Sequence, residues 1–126
     1  MRCVIVDDNR DFLRIARGLL TYDGIVVAGA VSTGEQARRA CRELEPDVVL
    51  IDIDLGDDET GIEVARQLPG RQAGAEQPSV ILISAYSGDD FEDLIADSPA
   101  ISFLPKASLS GAAIRDILAQ AGRPGR

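Results

Sequence analysis

Short, unbroken runs of apolar residues recur along the chain, and most of them end at a polar or charged residue. The strongest run covers residues 48–51, four aliphatic residues that lead directly into Asp52. A continuous run of this length, rich in β-branched side chains, is typical of a strand that is buried on both faces of a parallel sheet. Four other runs of the same kind cover residues 3–6, 25–28, 80–83 and 101–104. The pattern therefore predicts five buried strands.

Between these runs the apolar residues recur at spacings of three and four, which predicts amphipathic helices. The first helix is predicted to begin after Asn9 as its N-cap and to end near Asp23. A capping box in residues 32–35 predicts the start of the second helix. Further helices are predicted over residues 61–68 and 91–95 and from about Ser108. The apolar faces expected for the first and last helices are Phe12, Ile15, Ala16, Leu19 and Leu20, and Ile114, Ile117, Leu118 and Ala121.

Strands and helices alternate from one end of the chain to the other. This order predicts an α/β fold with a doubly wound, five-stranded parallel sheet in the strand order 2-1-3-4-5. With right-handed crossovers the helices cover both faces, giving a flavodoxin-like three-layer sandwich. The length of 126 residues suits one compact domain, which we place at residues 1–121, followed by a short tail at 122–126.

The composition argues against several classes of function. A net charge of -8 argues against direct binding to nucleic acid or to an anionic membrane, because such surfaces need clustered Lys and Arg. No apolar run is long enough to span a membrane and no signal peptide is evident, so we expect a cytoplasmic protein. The chain has no histidine, which excludes histidine-dependent catalysis and histidine-ligated metal sites. Cys3 and Cys41 lie on apolar patterns and are interpreted as reduced core residues.

Polar side chains of possible function follow four of the five predicted strands. Asp7 and Asp8 follow the first, Asp52 the third, Ser84 the fourth and Lys106 the fifth. The carboxyl ends of parallel strands meet at one edge of the sheet, so these side chains are expected to converge. Three clustered carboxylates repel one another unless a cation offsets their charge. A hard divalent ion such as Mg²⁺ suits a site of carboxylates, a backbone oxygen, waters and a phosphate.

The same residues indicate a reaction. A carboxylate such as Asp52 can attack a phosphoryl donor and become an aspartyl phosphate, while a metal ion and Lys106 stabilise the charge on the transferring oxygens. Ser84 is placed to hydrogen-bond a phosphoryl oxygen. No residue is obviously placed as a strong general base for water, so the acyl phosphate is expected to persist as a signal. The chain is therefore interpreted as a switch and not as a multiple-turnover enzyme.

These residues resemble the receiver domains of two-component response regulators. The resemblance covers the whole chain and is carried by four motifs at strand ends: VDD at 6–8, VVLID at 48–52, SA at 84–85 and FLPK at 103–106. The intervals between the motifs also resemble those of the family. One departure is the loop over residues 55–61, which lacks the proline common in the family and is longer by one residue.

The resemblance implies a role for each matching residue. Asp52 would accept a phosphoryl group from a sensor histidine kinase or a phosphotransfer protein. Asp8 and Asp52 would bind Mg²⁺ directly, Asp7 would act largely through water, and the backbone carbonyl of Asp54 would add a further ligand.

The resemblance also implies a switch and an output. The Ser84 hydroxyl would move to the phosphoryl group and the ring of Phe103 would follow it inward. This movement would reshape the surface formed by the helix after the fourth strand, the fifth strand and the last helix. An output domain, a partner protein or a second copy in a homodimer would bind there.

Two alternatives stay open from the residues alone. Asp52 and Asp54 also resemble the Asp-x-Asp nucleophile and acid of haloacid dehalogenase-type phosphatases, although the acidic pair at residues 7–8 stands elsewhere in that family and the chain has no room for a cap domain. A pseudo-receiver that keeps the fold only to dock a partner is the second alternative. Turnover of a phosphomonoester favours the first, and normal folding without phosphorylation favours the second.

Overall fold

The computed structural model describes residues 1–55, 60–68, 78–85, 96 and 98–120. The helix predicted over residues 91–95 and the tail at 122–126 lie outside the described residues. Residues 56–59 of the loop that follows Asp52 also lie outside them, as does the domain boundary predicted at residue 121.

Five parallel strands form one sheet in the order β2-β1-β3-β4-β5, which confirms the predicted topology. Every residue of β3 and β4 is buried, as continuous apolar runs require when both faces of a sheet are covered. The strands are β1 (Arg2–Val6), β2 (Val26–Val31), β3 (Val48–Asp52), β4 (Ser79–Ser84) and β5 (Ser102–Pro105).

The described helices are α1 (Arg10–Tyr22), α2 (Gly34–Leu44), α3 (Gly61–Gln67) and α4 (Gly111–Gln120), with a 3₁₀ turn at Lys106–Ser108 before the last of them. Two separate apolar clusters lie on the two faces of the sheet. The first contains buried side chains of α1 and α4, and the second contains those of α2 and α3. This arrangement confirms the three-layer sandwich. Within the described ranges, no helix has the length and apolar character needed to cross a membrane.

The face of α1 differs from the prediction. Leu13, Ala16 and Leu20 are the buried residues of this helix, whereas Ile15 is 63% exposed and Leu19 is 40% exposed. Two stripes with helical spacing overlap in this segment, and the one that includes Leu13 faces the sheet. The predicted N-cap is confirmed, because the side chain of Asn9 accepts a hydrogen bond from the backbone N–H three residues later.

Several predicted boundaries differ from the structure by one to three residues, and in three cases the contacts show why. Strand β2 continues to Val31 because its pairing with β1 continues to Val6. The N-cap of α2 is Thr33 and not Ser32, because the Thr33 side chain accepts a hydrogen bond from the backbone N–H of Gln36. The Gln36 side chain in turn accepts a hydrogen bond from the backbone N–H of Ser32. The last helix begins at Gly111 and not near residue 108, because the 3₁₀ turn lies between it and β5.

The register of the central strands fixes which residues meet at the edge of the sheet. Val6 pairs with Ile51, so the residues that follow them, Asp7 and Asp52, lie side by side at the carboxyl ends of β1 and β3. On the other side, Ser84 pairs with Pro105, the residue immediately before Lys106. The pairing therefore brings four predicted site residues to one edge, although they lie far apart in the sequence.

An acidic cluster at the strand ends

Asp52 is the last residue of β3 and is buried, with 6% of its surface exposed. Both of its carboxylate oxygens have partners. Oδ1 accepts a hydrogen bond from the backbone N–H of Asp54 at 3.1 Å, and Oδ2 accepts one from Lys106 Nζ, also at 3.1 Å. The carboxylate is thus held between the loop that follows it and the cation beyond β5.

Asp7 follows β1 and is completely buried. Its Oδ1 accepts a hydrogen bond from the backbone N–H of Asn9 at 2.9 Å. Its Oδ2 lies 2.6 Å from Lys106 Nζ, and this ion pair is its contact with the cation. Asp8, the next residue, is exposed. Two adjacent carboxylates therefore lie at the same strand end, one inside the protein and one at its surface.

Asp7, Asp8 and Asp52 form a cluster that could hold a metal ion. One carboxylate oxygen from each lies within 4.8 Å of the other two. The donor set consists of oxygen atoms only, which is the set that Mg²⁺ and other hard divalent cations prefer. When all three are ionised, the single positive charge of Lys106 does not balance them. Donor chemistry and charge therefore both fit a divalent cation.

Lys106 contacts the cluster from the side of β5. Its side chain is 17% exposed, and its Nζ touches both buried carboxylates. The same nitrogen lies over the aromatic ring of Phe12, 4.5 Å from the ring centroid. Lys106 is the only lysine among the 13 basic residues of the chain, and the others are all arginine. An ammonium is a compact point charge, so its one nitrogen can contact both carboxylates at once.

The cluster shifts the pKa values of its members. Burial raises the pKa of Asp52 to about 6, and the nearby charge of Asp7 adds to this effect. The hydrogen bonds from Asp54 and Lys106 oppose the shift without cancelling it. For Lys106, burial acts to lower the pKa, but the contacts with Asp7 and Asp52 outweigh burial and raise it. Lys106 is therefore a stable cation next to a carboxylate that is costly to ionise.

The other predicted site residues lie at the same edge or next to it. Ser84 is buried at the end of β4, one position beyond the residue that pairs with Asp52. Phe103 is partly buried in β5 and packs against the second apolar cluster. Asp54 is exposed and forms a single antiparallel bridge with Thr60. The structure thus brings Asp7, Asp8, Asp52 and Lys106 together and places Ser84 and Phe103 on the adjacent strands.

Sequence reasoning missed two residues that shape the site. Phe12 was assigned only to the apolar face of α1, but its ring contacts the ammonium of Lys106. Gly61 begins α3 against the backbone of Asp52, and a Cβ atom there would overlap the Asp52 carbonyl oxygen. Its N–H donates to the Ile53 carbonyl at 2.8 Å. The position of Phe12 in the first turn after the acidic pair is the one signal that could have identified it.

Comparison with known proteins now identifies the family. The model of the response regulator receiver domain matches residues 3–118, which is nearly the whole chain. This chain belongs to the response regulator receiver domain family. Receiver domains are the signalling modules of two-component systems, and the acidic cluster of this one lies where its strand-end motifs placed it.

Two curated relatives match most of this receiver domain. It is 30% identical over 110 residues to the response regulator GacA of Pseudomonas viridiflava, covering 86% of this chain and 49% of GacA. It is 31% identical over 116 residues to a protein-glutamate methylesterase/protein-glutamine glutaminase of Alkalilimnicola ehrlichii, covering 88% of this chain and 28% of that protein. The receiver domain thus spans about half of one relative and about a quarter of the other.

Solved structures show the same fold. The signal receiver domain described for NarL of Mycobacterium tuberculosis has a TM-score of 0.77 and 26% identity, covering 99% of this chain and 97% of that one. A CheY-like receiver domain of Methylobacillus flagellatus also has a TM-score of 0.77, with 21% identity, covering 96% and 98% of the two chains. The second likeness supports the fold alone.

Proposed function

We propose that this receiver domain accepts a phosphoryl group on Asp52 from a sensor histidine kinase or a phosphotransfer protein, in a reaction that requires Mg²⁺. The observation that carries the proposal is the convergence of Asp7, Asp8, Asp52 and Lys106 at one edge of the sheet. Family membership supports it, because the motifs that resemble the family's site are the residues that converge.

Asp52 is the nucleophile of the proposed reaction. One of its carboxylate oxygens forms a bond to phosphorus while the bond from phosphorus to the donor's leaving atom breaks, and the leaving group keeps the electron pair. Lys106 stabilises negative charge on the transferring oxygens, because its Nζ already lies 3.1 Å from the nucleophilic carboxylate. Ser84 donates a hydrogen bond to a phosphoryl oxygen after transfer.

Asp8 and Asp52 would hold Mg²⁺ directly, Asp7 through water, and Asp54 through its backbone carbonyl. The ion supplies positive charge that offsets the acidic residues and the incoming phosphoryl oxygens. Asp7 has a second task, which is to hold Lys106 in place through its 2.6 Å ion pair.

Phosphorylation of Asp52 changes the shape of one surface of the domain. Movement of Ser84 and Phe103 alters the surface of β5, α4 and the segment between β4 and β5. An output domain, a partner protein or a second copy of the chain then binds the altered surface. In this proposal the chain is a signalling switch and does not turn over an external substrate.

Intact mass after incubation with Mg²⁺ and a small acyl phosphate tests the proposal. Wild type is expected to gain one phosphoryl group, and Asp52→Asn is expected to gain none while keeping its circular dichroism spectrum. Asp54→Asn is the matched control, because it removes a carboxylate two residues away that is exposed and is not the nucleophile. This control variant is expected to be phosphorylated.

The same samples separate the alternatives. Steady turnover of a phosphomonoester that is lost in Asp54→Asn indicates a haloacid dehalogenase-type phosphatase and overturns the receiver mechanism. A folded wild type that gains no phosphoryl group indicates a pseudo-receiver. A phosphoryl group that persists in Asp52→Asn refutes the assignment of the acceptor.

A further inference from the structure

We propose that Phe12 is a positioning residue that holds the ammonium of Lys106 between Asp7 and Asp52, and so sets the rate at which Asp52 is phosphorylated. This inference rests on the proposed function, because it concerns the cation that assists phosphoryl transfer. It adds a residue of α1 to a site otherwise built from residues at strand ends.

The contacts of Lys106 leave one side of the ammonium for an aromatic ring. The group has three N–H bonds, and two carboxylates lie within reach of them, Asp7 at 2.6 Å and Asp52 at 3.1 Å. The ring of Phe12 lies under the same nitrogen, with its centroid 4.5 Å away. This distance is within the range in which a cation is attracted to the face of a ring. The ring is thus a third contact of the ammonium, in addition to the two carboxylates.

Phe12 is itself fixed by the strand end that carries Asp7. The backbone N–H of Asn9 donates to Asp7 Oδ1 at 2.9 Å, and the backbone N–H of Phe12 donates to Asn9 Oδ1 at 3.1 Å. The ring then contacts Lys106, whose Nζ returns to Asp7 Oδ2. These four residues form a closed circuit of contacts, which fixes the backbone position from which the Phe12 ring reaches the ammonium.

The ring matters because it is an uncharged anchor that phosphorylation of Asp52 does not alter. Lysine has a long and flexible side chain, and two carboxylates on one side do not by themselves fix its ammonium. When Asp52 becomes an acyl phosphate it is no longer a free carboxylate, so one of the two anionic anchors changes. The Phe12 ring and Asp7 remain, and they keep the ammonium directed at the transferred group.

Three variants test this inference by the initial rate of Asp52 phosphorylation with Mg²⁺ and a small acyl phosphate. Phe12→Leu keeps an apolar side chain but removes the ring, and is expected to lower the rate roughly three- to tenfold. Phe12→Tyr keeps the ring face and is expected to restore the rate to within about twofold of wild type. Ile15→Ala is the control for changes in α1, because that side chain is 63% exposed.

A double-mutant cycle distinguishes positioning from a general structural effect. In a Lys106→Met background, Phe12→Leu is expected to lower the residual rate less than about twofold, because the partner of the ring is gone. An equal loss in both backgrounds overturns the inference, as does a Phe12→Leu rate equal to that of wild type.

A second measurement does not depend on phosphorylation. Since Lys106 is the only lysine, lysine labelled with ¹³C gives one set of side-chain NMR signals. The Cε protons over the ring face are expected to be shifted upfield in wild type and Phe12→Tyr but not in Phe12→Leu. An unshifted wild-type signal overturns the inference even if Asp52 is phosphorylated normally. A wild type that is not phosphorylated refutes the proposed function, while the NMR signal still reports on the ring.

Discussion

The interior of β1 and β3 and the carboxyl ends of the same strands are equally buried, yet burial has opposite effects on the two regions. Residues 3–6 and 48–51 are apolar and completely buried. Asp7 follows directly and is also completely buried, and Asp52 is 6% exposed. Removing apolar side chains from water stabilises the fold, whereas removing carboxylates from water costs free energy unless they are paired.

The apolar interior of the two strands therefore stabilises the fold, and the strand ends carry the charged groups of the site. Apolar pairing on both sides of β1 and β3 fixes the strands, and the fixed strands then hold charged residues in positions that they would not adopt by themselves. One residue separates a stabilising position from a costly one. The following predictions test this contrast, beginning with the largest expected effect.

Leu50→Ala is expected to lower the free energy of unfolding by about 3 kcal/mol, because Leu50 is completely buried in β3 and its removal leaves a cavity. Urea denaturation measures the change. Val26→Ala is the control, because Val26 is 53% exposed in β2 and its truncation should cost about 0.5 kcal/mol or less. Equal losses in the two variants would contradict the distinction between buried and exposed strand positions.

Lys106→Met is expected to lower the free energy of unfolding at pH 7 by about 2 kcal/mol, because it leaves Asp7 and Asp52 without their shared cation. The loss should shrink toward pH 4, because Asp52, whose pKa is raised to about 6, becomes protonated and no longer repels Asp7. Denaturation curves at both pH values provide the measurement. A variant as stable as wild type at pH 7 would show that the ammonium does not offset the buried charges.

Asp52→Asn is expected to raise the free energy of unfolding at pH 7 by about 1 kcal/mol. The pKa of Asp52 is raised from 3.8 to about 6 in the folded protein, so the folded state binds this proton more tightly than the unfolded chain does. Tighter binding of this proton therefore adds to the free energy of unfolding below about pH 4. This addition is lost as the pH rises through about 6. The gain is limited because Lys106 loses an anionic partner. Denaturation between pH 4 and 7 should show a flatter profile in the variant, and an unchanged profile would refute this account.

Asp8→Asn is expected to have the smallest effect on stability, a gain of about 0.5 kcal/mol or less without divalent ions, because Asp8 is exposed and its repulsion is screened. Its effect on the affinity for Mg²⁺ should be larger, since the variant removes one of the proposed direct ligands. Thermal melting with and without Mg²⁺ measures both effects. A clear loss of stability without the ion would contradict the picture of clustered, repelling carboxylates.

The sequence predicted the central strands well because their signal is local. Residues 48–51 are apolar without interruption, and β3 extends only one residue beyond them. The length of β2 was underestimated because its last residues, from Gly29 to Val31, are held by pairing with β1, which is not visible in the segment itself. The face of α1 was partly wrong because the choice between two overlapping stripes depends on how the helix lies on the sheet.

The residues of the site were predictable to the extent that they stand at strand ends. Asp7, Asp52 and Lys106 converge because parallel strands finish at one edge, a rule that needs only the topology. The contact of Phe12 with Lys106 was not predictable in the same way. It depends on the angle at which α1 leaves β1 and on the rotamer of a long side chain, and neither is encoded in the spacing of apolar residues.

The separation of the charged partners along the chain determines when the site is completed during synthesis. Lys106 lies 54 positions after Asp52, whereas Asp7 lies before Asp52 in the chain. A nascent chain that has emerged only as far as β4 holds the acidic residues without the lysine that pairs with them. Because domains fold as units during translation, Asp52 and Asp7 gain their cationic partner only when β5 joins the sheet. In the proposed function, Lys106 therefore cannot assist the phosphorylation of Asp52 until β5 has been synthesised.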